Sequence, residues 1–367
     1  MNILVPNLCS TSLKYQILEM PAEARLAKGR LERVADYAEA VRGIQDAVAE
    51  LGVSVDAVAF KAVHGGPRYR GTFLVDGSVL GALEEFLPAA PAHNRIYLDA
   101  MRAFAAHLPG VPLVAAFETE FHSTMPDYAR EYGVPAEWRE AGVVKYGFHG
   151  ASHSYVAARV AEWLGPAARL VSCHLGGSSS ICATSGGRSV DTTMGFSPQS
   201  GLENATRHGD LDVFAALFMM EKRGWSLGEV RGQLARTGGL AGLSGIAGGD
   251  VRDLESAAAA GNARAATALE VFVYQVKKTI GAYAAAMGGL DAIAFTGGIG
   301  ENSSALRKRC CAGLEFLGVA LDAHRNESES GDRLLSPDGA RPAVYAVAAD
   351  EERVVARRAY AILTARR

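Results

Sequence analysis

One stretch of the chain, residues 171–210, contains many groups that could donate hydrogen bonds to an anion. It combines glycines, serines, threonines and an arginine with aspartates. An apolar run there enters Gly176, Gly177 and three serines, resumes at Ile181, and turns again at residues 185–187. This alternation predicts a β-hairpin whose first bend leaves room for a phosphate. Glycines let backbone N–H groups approach an anion closely, and serine hydroxyls add donors. Short Gly–Ser runs are also common in ordinary turns, so the motif alone is a weak signal.

The N-terminus repeats this arrangement. An apolar run at residues 3–5 leads to Asn7, bends through small hydroxyl residues, and returns as a strand with Lys14 just past the bend. Two phosphate-sized bends, distant in the sequence, predict a duplicated domain with a nucleotide between the copies. Arg207 and Asp210, downstream of the second bend, add a guanidinium and a carboxylate to the same candidate site.

The composition restricts the class of protein. At 367 residues the chain is long enough for two domains, and its 49% hydrophobic and 21% charged residues are typical of a soluble globular protein. The net charge of −3 and the lack of a basic block argue against a nucleic-acid partner. Without a signal peptide or an apolar stretch of membrane-spanning length, we expect a cytoplasmic protein and no membrane partner. The five cysteines lack CxxC spacing and predict neither a disulfide framework nor a zinc knuckle.

Hydrophobic periodicity and Gly or Pro punctuation predict the elements that must position these residues. The expected helices cover residues 31–51, 78–87, 95–107, 211–223 and 262–287, with another that starts near Ser303. Outside the two hairpins, strands are expected at residues 57–63, 113–117, 292–296 and 343–348, and the glycine-rich segment 238–249 is expected to contain a loop before Asp250. Glu118 follows the second of those strands, and ligands of open α/β sheets gather beyond the carboxyl ends of strands. Glu118 is therefore a candidate on position alone.

Two histidines, His149 and His153, are four residues apart and would share one face of a helix, as in some zinc enzymes. No acidic residue lies beside His149, as the H-E-x-x-H pattern would require, and Gly150 begins the predicted helix between them. Structural histidines and one substrate-facing histidine are the favoured interpretation.

The order of motifs resembles that of the acetate kinase family, in the superfamily of acetate and sugar kinases, actin and heat-shock chaperones. The resemblance covers almost the whole chain and is carried by NLCSTSLKY, VHGGPRY, PAHN, AFETEFHSTMP, KYGFHGASHSYV, CHLGGSSS, SVDTTMGFSP, ATRHGDLD, GDVRDLE, KKTIGAYAAAMGGLDAIAFTGGIGEN, GLEFLGV and ADEE. It implies an α/β fold of two domains with duplicated ribonuclease H-like (actin-like ATPase) topology and an active-site cleft between them. We expect residues 1–118 plus 352–367 to form the first domain, and 119–351 to form the second, with the nucleotide and dimer contacts.

The resemblance also implies an activity. ATP and acetate, or another short-chain carboxylate, would give ADP and an acyl phosphate by reversible, direct in-line phosphoryl transfer with Mg²⁺, or Mn²⁺ as its substitute, in a homodimer. A carboxylate is already ionised at neutral pH, so the protein's task is alignment and charge neutralisation, not the creation of a nucleophile.

The resemblance assigns roles to individual residues. The expected catalytic residues are Glu118, His149, Arg207 and Lys61. Those expected to hold the metal are Asn7 and Glu351. Those expected to bind the carboxylate are Lys61, Val63, Ala92, His93, Phe148 and Pro198. The expected nucleotide contacts are Ser10, Ser12, Lys14, His174, Gly176, Gly177, Ser178, Asp250, Arg252, Gly298, Ile299 and Asn302.

Several positions depart from the family pattern. Lys61 stands where the family has arginine, which replaces a bidentate fork with a point charge, and Glu118 stands where it has aspartate. Gly177 and Ser178 replace an Asn–Gly pair, and the serine after Arg207 in the family is His208 here. We hypothesise that the longer Glu118 side chain partly compensates for Lys61.

The departures leave alternatives open. Ala92 replaces a leucine, which would enlarge the acyl pocket and favour propionate, butyrate or a larger acid, unless a neighbouring side chain fills the gap. The changes at Lys61 and Glu118 also allow a catalytically impaired paralogue that binds nucleotide in a regulatory role. Against this, a cleft that only binds nucleotide would not need His149 and Arg207 on the acyl side.

Overall fold

The structure of the chain, a computed structural model, describes residues 1–8, 12–32, 34, 37–328 and 331–365, without the side chains of Ser12, Glu32 and Ala92. The predicted contact residue Ser10 lies outside the described residues. The strands are Asn2–Leu8 (β1), Ser12–Glu19 (β2), Ala24–Glu32 (β3), Ala57–Ala62 (β4), Thr72–Leu74 (β5), Leu113–Phe117 (β6), Arg169–His174 (β7), Ser180–Ser185 (β8), Arg188–Thr192 (β9), Ala292–Thr296 (β10), Arg333–Leu334 (β11) and Ala343–Ala346 (β12).

The α-helices alternate with these strands and vary from 4 to 24 residues in length. They are Tyr37–Glu50 (α1), Gly77–Glu85 (α2), Pro91–His107 (α3), Asp127–Arg130 (α4), Ala136–Glu140 (α5), Gly150–Leu164 (α6), Val213–Arg223 (α7), Leu227–Arg236 (α8), Gly239–Ser244 (α9), Val251–Ala259 (α10), Ala263–Ala286 (α11), Gly297–Asn302 (α12), Ser304–Cys311 (α13), Ala323–Glu327 (α14) and Glu351–Thr364 (α15). No helix among the described residues is long and apolar enough to cross a membrane.

The strands form two mixed sheets with the same topology. The order is β3-β2-β1-β4-β6-β5 in the first and β9-β8-β7-β10-β12-β11 in the second. In each sheet the first three strands are antiparallel, the next two run parallel to the strand that precedes them in the order, and the last is antiparallel again. This repetition confirms the predicted duplicated α/β fold.

Each sheet is covered on both faces, because its central strands are apolar throughout. All residues of β6 and β10 are buried, as expected for strands that lie between two helical layers. On the first sheet α1 and α3 pack on one face and α15 on the other; on the second, α11 and α13 pack on one face and α6 on the other. Helices α6 and α15 also contact each other. The domain boundaries near residues 118 and 352 stay a prediction.

One sequence prediction about local structure was wrong. The helix expected at residues 31–51 begins only at Tyr37, because the alternating segment before it forms the strand β3, which pairs with β2. In the glycine-rich segment 238–249, the expected loop before Asp250 is preceded by the short helix α9, where Leu240 and Ser244 are buried. In both places tertiary pairing and burial decided a segment whose local sequence signal was ambiguous.

Candidate active site

Three buried ionisable side chains meet beyond the carboxyl ends of the first sheet's parallel strands. Lys61 lies near the end of β4, Glu118 directly follows β6, and Glu351 is the first residue of α15. The Lys61 ammonium and the Glu351 carboxylate form an ion pair. Burial alone would lower the pKa of Lys61, but the carboxylates of Glu351 and Glu118 raise it well above its usual range. Strand ends thus bring together two predicted catalytic residues and one predicted metal ligand.

Glu118 is the least exposed of these groups, at 4% of its surface. Among the described residues its Oε1 atom has no hydrogen-bond partner. Burial raises the pKa of Glu118 to about 7, although Lys61 acts in the opposite direction. For Glu351, burial acts upward but the attraction of Lys61 prevails and lowers the pKa. Of the two carboxyls, Glu351 is therefore the one that carries a negative charge throughout the neutral range.

His149 is held rigidly at the start of α6. It is the N-cap residue and has a left-handed backbone, with φ of 55°, which is unusual for a side chain other than glycine. Its Nε2 atom lies 2.9 Å from Ser178 Oγ, and its Nδ1 atom lies 2.8 Å from Ser180 Oγ. The imidazole is also stacked on His174, with ring centroids 4.3 Å apart. The turn into α6 therefore fixes the ring against the bend between β7 and β8.

Arg207 reaches the same bend from the loop that follows β9. It is 8% exposed, and its guanidinium donates to Pro198 O and to Ser178 Oγ, both at 2.5 Å. Burial lowers the pKa of Arg207 to about 10. Within the described part of the chain no carboxylate pairs with this guanidinium. A buried cation without a counter-ion is a ready partner for an incoming anion.

His174 connects the two groups of residues. Its Nδ1 atom lies 2.8 Å from Ser152 Oγ and 4.0 Å from Glu351 Oε1. Since the same ring is stacked on His149, the charged group near Lys61 and the bend near Ser178 form one continuous site.

The predicted acyl pocket residues are buried near these groups. Val63 is 7% exposed, Phe148 is 2% exposed and Pro198 is buried. Burial, together with the charges of Arg207 and Lys61, lowers the pKa of His93 to about 4. His93 therefore lies within electrostatic reach of both cations, whereas the side chain of Ala92 lies outside the described structure.

A cleft of about 880 Å³ opens on the other side of the glycine–serine bend. Seven of the predicted nucleotide contacts line it, namely Gly176, Gly177, Asp250, Arg252, Gly298, Ile299 and Asn302. A Cβ atom on Gly177 or Gly298 would meet nothing within 4 Å, so glycine there keeps the wall of the cleft open. Asp250 caps α10 and pairs with the guanidinium of Arg252 at 2.6 Å, and that hydrogen bond lowers the pKa of Asp250 to about 2.

Of the residues predicted to act at the first bend, Asn7 and Lys14 are described with their side chains. Asn7 Nδ2 donates to Glu352 Oε1 at 2.8 Å, which leaves the amide oxygen of Asn7 for another partner. Asn7, Lys61 and Glu351 border the same narrow crevice. Lys14 is exposed on β2, where it pairs in register with Arg30, and the side chain of Ser12 is not described.

Sequence reasoning missed several residues that shape the site. Asn204 is buried and accepts a hydrogen bond from Ser179 N at 2.6 Å, which fixes the bend. The buried ring of His122 contacts Phe148 O at 2.9 Å. His64 lies in an aromatic group, 4.7 Å from Phe86 between ring centroids. The sequence signal for the last two was their place in the motifs AFETEFHSTMP and VHGGPRY, which carry the resemblance.

Comparisons with known proteins identify the family of the chain. The model of the acetokinase family matches residues 29–357. The acetate kinase of Caldanaerobacter subterraneus subsp. tengcongensis is 41% identical over 392 aligned positions, which cover 97% of this chain and 98% of that protein. The acetate kinase of Geobacillus kaustophilus is 42% identical, with 97% of each chain covered.

Solved structures give the same result for the fold. The acetate kinase of Porphyromonas gingivalis superposes with a TM-score of 0.88 at 34% identity and covers 99% of each chain. A propionate kinase of Francisella tularensis subsp. tularensis superposes with a TM-score of 0.91 at 30% identity, and 97% of this chain and 98% of that chain are covered. The predicted two-sheet architecture is thus confirmed over essentially the full length.

Proposed function

The chain belongs to the acetokinase family and is a phosphotransferase with a carboxyl group as acceptor; we propose that it moves the γ-phosphoryl group of ATP directly to a short-chain carboxylate. The products are ADP and an acyl phosphate, and the reaction is reversible. One observation carries the proposal. The guanidinium of Arg207 and the imidazole of His149 converge on Ser178 Oγ, at the bend that also borders the nucleotide-sized cleft.

The proposed roles follow from charge. The transition state of phosphoryl transfer spreads negative charge over the equatorial oxygens, so fixed donors lower the barrier more than a strong base would. Arg207 supplies the uncompensated positive charge, and His149 supplies a neutral donor. Lys61 lies with Glu118 and Glu351 on the side of the site opposite to Arg207 and His149. There it can orient the acceptor carboxylate between Val63 and Phe148.

A divalent cation fits the residues of the first bend. Asn7 and Glu351 border the same crevice and offer an amide and a carboxylate oxygen, and Mg²⁺ is usually held by one or two carboxylates together with substrate phosphates and water. Among the described residues no group of three histidines, cysteines or acids could hold a metal without such help. Bound there, Mg²⁺ would neutralise phosphate charge, and Asn7 and Glu351 would keep it at the mouth of the crevice.

A hydroxamate-trapping assay with MgATP and a panel of carboxylic acids tests the proposed reaction. We expect acyl hydroxamate from at least one short acid, and a loss of signal in Arg207→Ala. The matched control is Arg95→Ala, which removes an exposed guanidinium that only pairs with Asp99 on the surface of α3. Nucleotide binding without hydroxamate from any acid would instead identify a regulatory nucleotide-binding protein.

The preferred acid is a separate proposal. Because Ala92 stands where the family has leucine, and a propionate kinase is among the similar structures, we propose that propionate or a larger acid is preferred over acetate. We expect kcat/KM to rise from acetate to propionate, and Ala92→Leu to reverse this order. A steady fall from acetate to butyrate would contradict the proposal, without bearing on the reaction itself.

A homodimer is proposed from the apolar face of α7 and the residues beside it. This helix has no buried residue, and Phe214 and Phe218 are 72% and 55% exposed, next to Leu211, Val213 and Leu217. Such a patch on one element is typical of an interface, and a second copy of the chain is its proposed occupant. We expect Phe214→Glu to yield monomers in sedimentation velocity, whereas Phe316→Glu, at a residue that is 78% exposed elsewhere, leaves the dimer intact. A wild-type chain that sediments as a monomer would refute the dimer.

A further inference from the structure

A row of hydroxyls and imidazoles leads from His149 into the interior of the second sheet. Ser180 Oγ contacts His149 Nδ1 and His153 Nε2, each at 2.8 Å, and His153 Nδ1 contacts Ser172 Oγ at 3.0 Å. Ser172, His153 and Ser180 are all completely buried. None of the three borders the cleft, and their hydrogen bonds connect them to the site through His149.

The buried end of the row sets the direction of its hydrogen bonds. Within the described residues, His153 Nδ1 is the only partner of the Ser172 hydroxyl. A buried hydroxyl proton without an acceptor is costly, so Ser172 donates to His153 Nδ1. A neutral imidazole carries one proton, and that of His153 must then lie on Nε2 and be donated to Ser180 Oγ.

The same reasoning applies to Ser180 and His149, which complete the row toward the site. Ser180 has a single proton and already accepts from His153, so it donates to His149 Nδ1. His149 therefore carries its own proton on Nε2, the atom that lies 2.9 Å from Ser178 Oγ. Burial and the neighbouring histidines lower the pKa of His149 and of His153, which keeps both rings neutral.

If the hydrogen bonds of the row ran in the opposite direction, a buried hydroxyl proton would have no acceptor. If His149 carried its proton on Nδ1, Ser180 would have to donate to His153, and His153 would donate to Ser172. The Ser172 hydroxyl proton would then have no acceptor in the interior. If both imidazoles donated to Ser180, the proton of Ser180 would be stranded in the same way. Only one arrangement satisfies every buried hydroxyl of the row.

We propose that Ser172, His153 and Ser180 form a positioning relay that fixes His149 as its Nε2–H tautomer. The relay makes a neutral ring present a donor, and not a lone pair, to the phosphoryl group, beside the guanidinium of Arg207. The role in catalysis rests on the proposed function, whereas the tautomer is a property of the free protein and can be measured without substrate.

Nuclear magnetic resonance of the full chain labelled with ¹⁵N-histidine tests the tautomer directly. The His149 signals are assigned by their loss in His149→Gln. We expect Nε2 to be protonated and Nδ1 to be unprotonated near neutral pH. Protonation of Nδ1, or of both nitrogens, would overturn the relay and leave the proposed kinase reaction standing.

A set of serine variants tests whether the buried end controls the site. Ser172→Ala removes the donor, and we expect the His149 signals to shift toward a mixture of tautomers and kcat to fall by about tenfold, with KM for ATP unchanged. Ser172→Thr keeps a hydroxyl, so it should retain the wild-type tautomer of His149 and the wild-type kcat. Ser336→Ala, at an equally buried serine whose hydroxyl contacts Val344 N, controls for general destabilisation and should change neither. An unchanged His149 tautomer in Ser172→Ala would refute the relay even if kcat fell.

Discussion

The two sheets have the same strand order, but the site residues at their edges differ in how they handle charge. Beyond the first sheet, the Lys61 ammonium is buried with the carboxyl groups of Glu118 and Glu351. Beyond the second sheet, the partners of the Arg207 guanidinium among the described residues are hydroxyl and carbonyl oxygens, beside the neutral ring of His149. The first edge is therefore already compensated, whereas the second has a positive charge available for a substrate.

From this difference we propose that the transferred phosphoryl group binds at the second edge. Among the described residues Arg207 donates only to neutral oxygens, so an anion entering there gains a charge–charge attraction that no carboxylate of these residues already supplies. At the first edge, an added anion or metal has to exchange with an existing ion pair. Both departures at predicted catalytic positions, Lys61 and Glu118, fall on this first edge, where each carries a charge that shifts the pKa of the other. Lys61 pairs directly with Glu351, so compensation by Glu118 stays a hypothesis.

Removal of the uncompensated charge should have the largest effect. We expect Arg207→Ala to lower kcat by about 10² to 10³, the usual loss for a donor to a developing oxyanion, with little change in the free energy of unfolding. Steady-state kinetics by the hydroxamate assay and urea unfolding measure the two quantities. A variant with near wild-type kcat would show that the second edge does not hold the transferred group.

Removal of one member of the compensated pair should mainly affect stability. Lys61→Met leaves the Glu351 carboxylate buried without its partner, and we expect it to lower the free energy of unfolding by about 4 kcal/mol. The double variant Lys61→Met/Glu351→Gln should recover most of that loss, since no lone charge remains. The exposed pair of Arg95 and Asp99 is the control, with less than about 1 kcal/mol expected for Arg95→Met. Strictly additive losses at Lys61 and Glu351 would contradict the pairing.

The carboxyl of Glu118 should make the first edge sensitive to pH. Its pKa is about 7 in the folded chain and 4.5 without the fold's influence, so between those values the folded state binds more protons than the unfolded state. Its contribution to stability is therefore lost as the pH rises from 4.5 to 7, by roughly 3 kcal/mol in total. Relative to wild type, Glu118→Gln should gain stability over this range. A difference between the two proteins that stays constant with pH would contradict the raised pKa.

The smallest effect is expected from the hydroxyl that joins the two donors of the second edge. Ser178→Gly restores the residue that the family carries, and it removes the oxygen shared by His149 and Arg207. We expect kcat/KM to change by about fivefold or less, equivalent to one ordinary hydrogen bond. Ser185→Ala, at the far end of β8, is the control. A loss as large as that of Arg207→Ala would make Ser178 a catalytic residue in its own right.

Much of the site was predictable because its residues follow strongly patterned elements. The five-residue apolar run 113–117 predicted β6 with its correct bounds, and hence the position of Glu118 at a strand end. The paired bends predicted the duplication, since alternating strands and small residues recur in both halves. The resemblance supplied the residue roles, and the structure brings Lys61, His149 and Arg207 into one site, although their catalytic roles stay predictions.

What the sequence by itself determined is the fold class, the duplication and the family, because these depend on periodicity and on motifs that are local in the chain. What only the tertiary structure decided is the pairing of side chains that are far apart in sequence. Lys61 and Glu351 are 290 residues apart, so no local pattern could predict that one charge would neutralise the other. The direction of the hydrogen bonds from Ser172 to His149 depends likewise on burial, which forces every proton to find an acceptor.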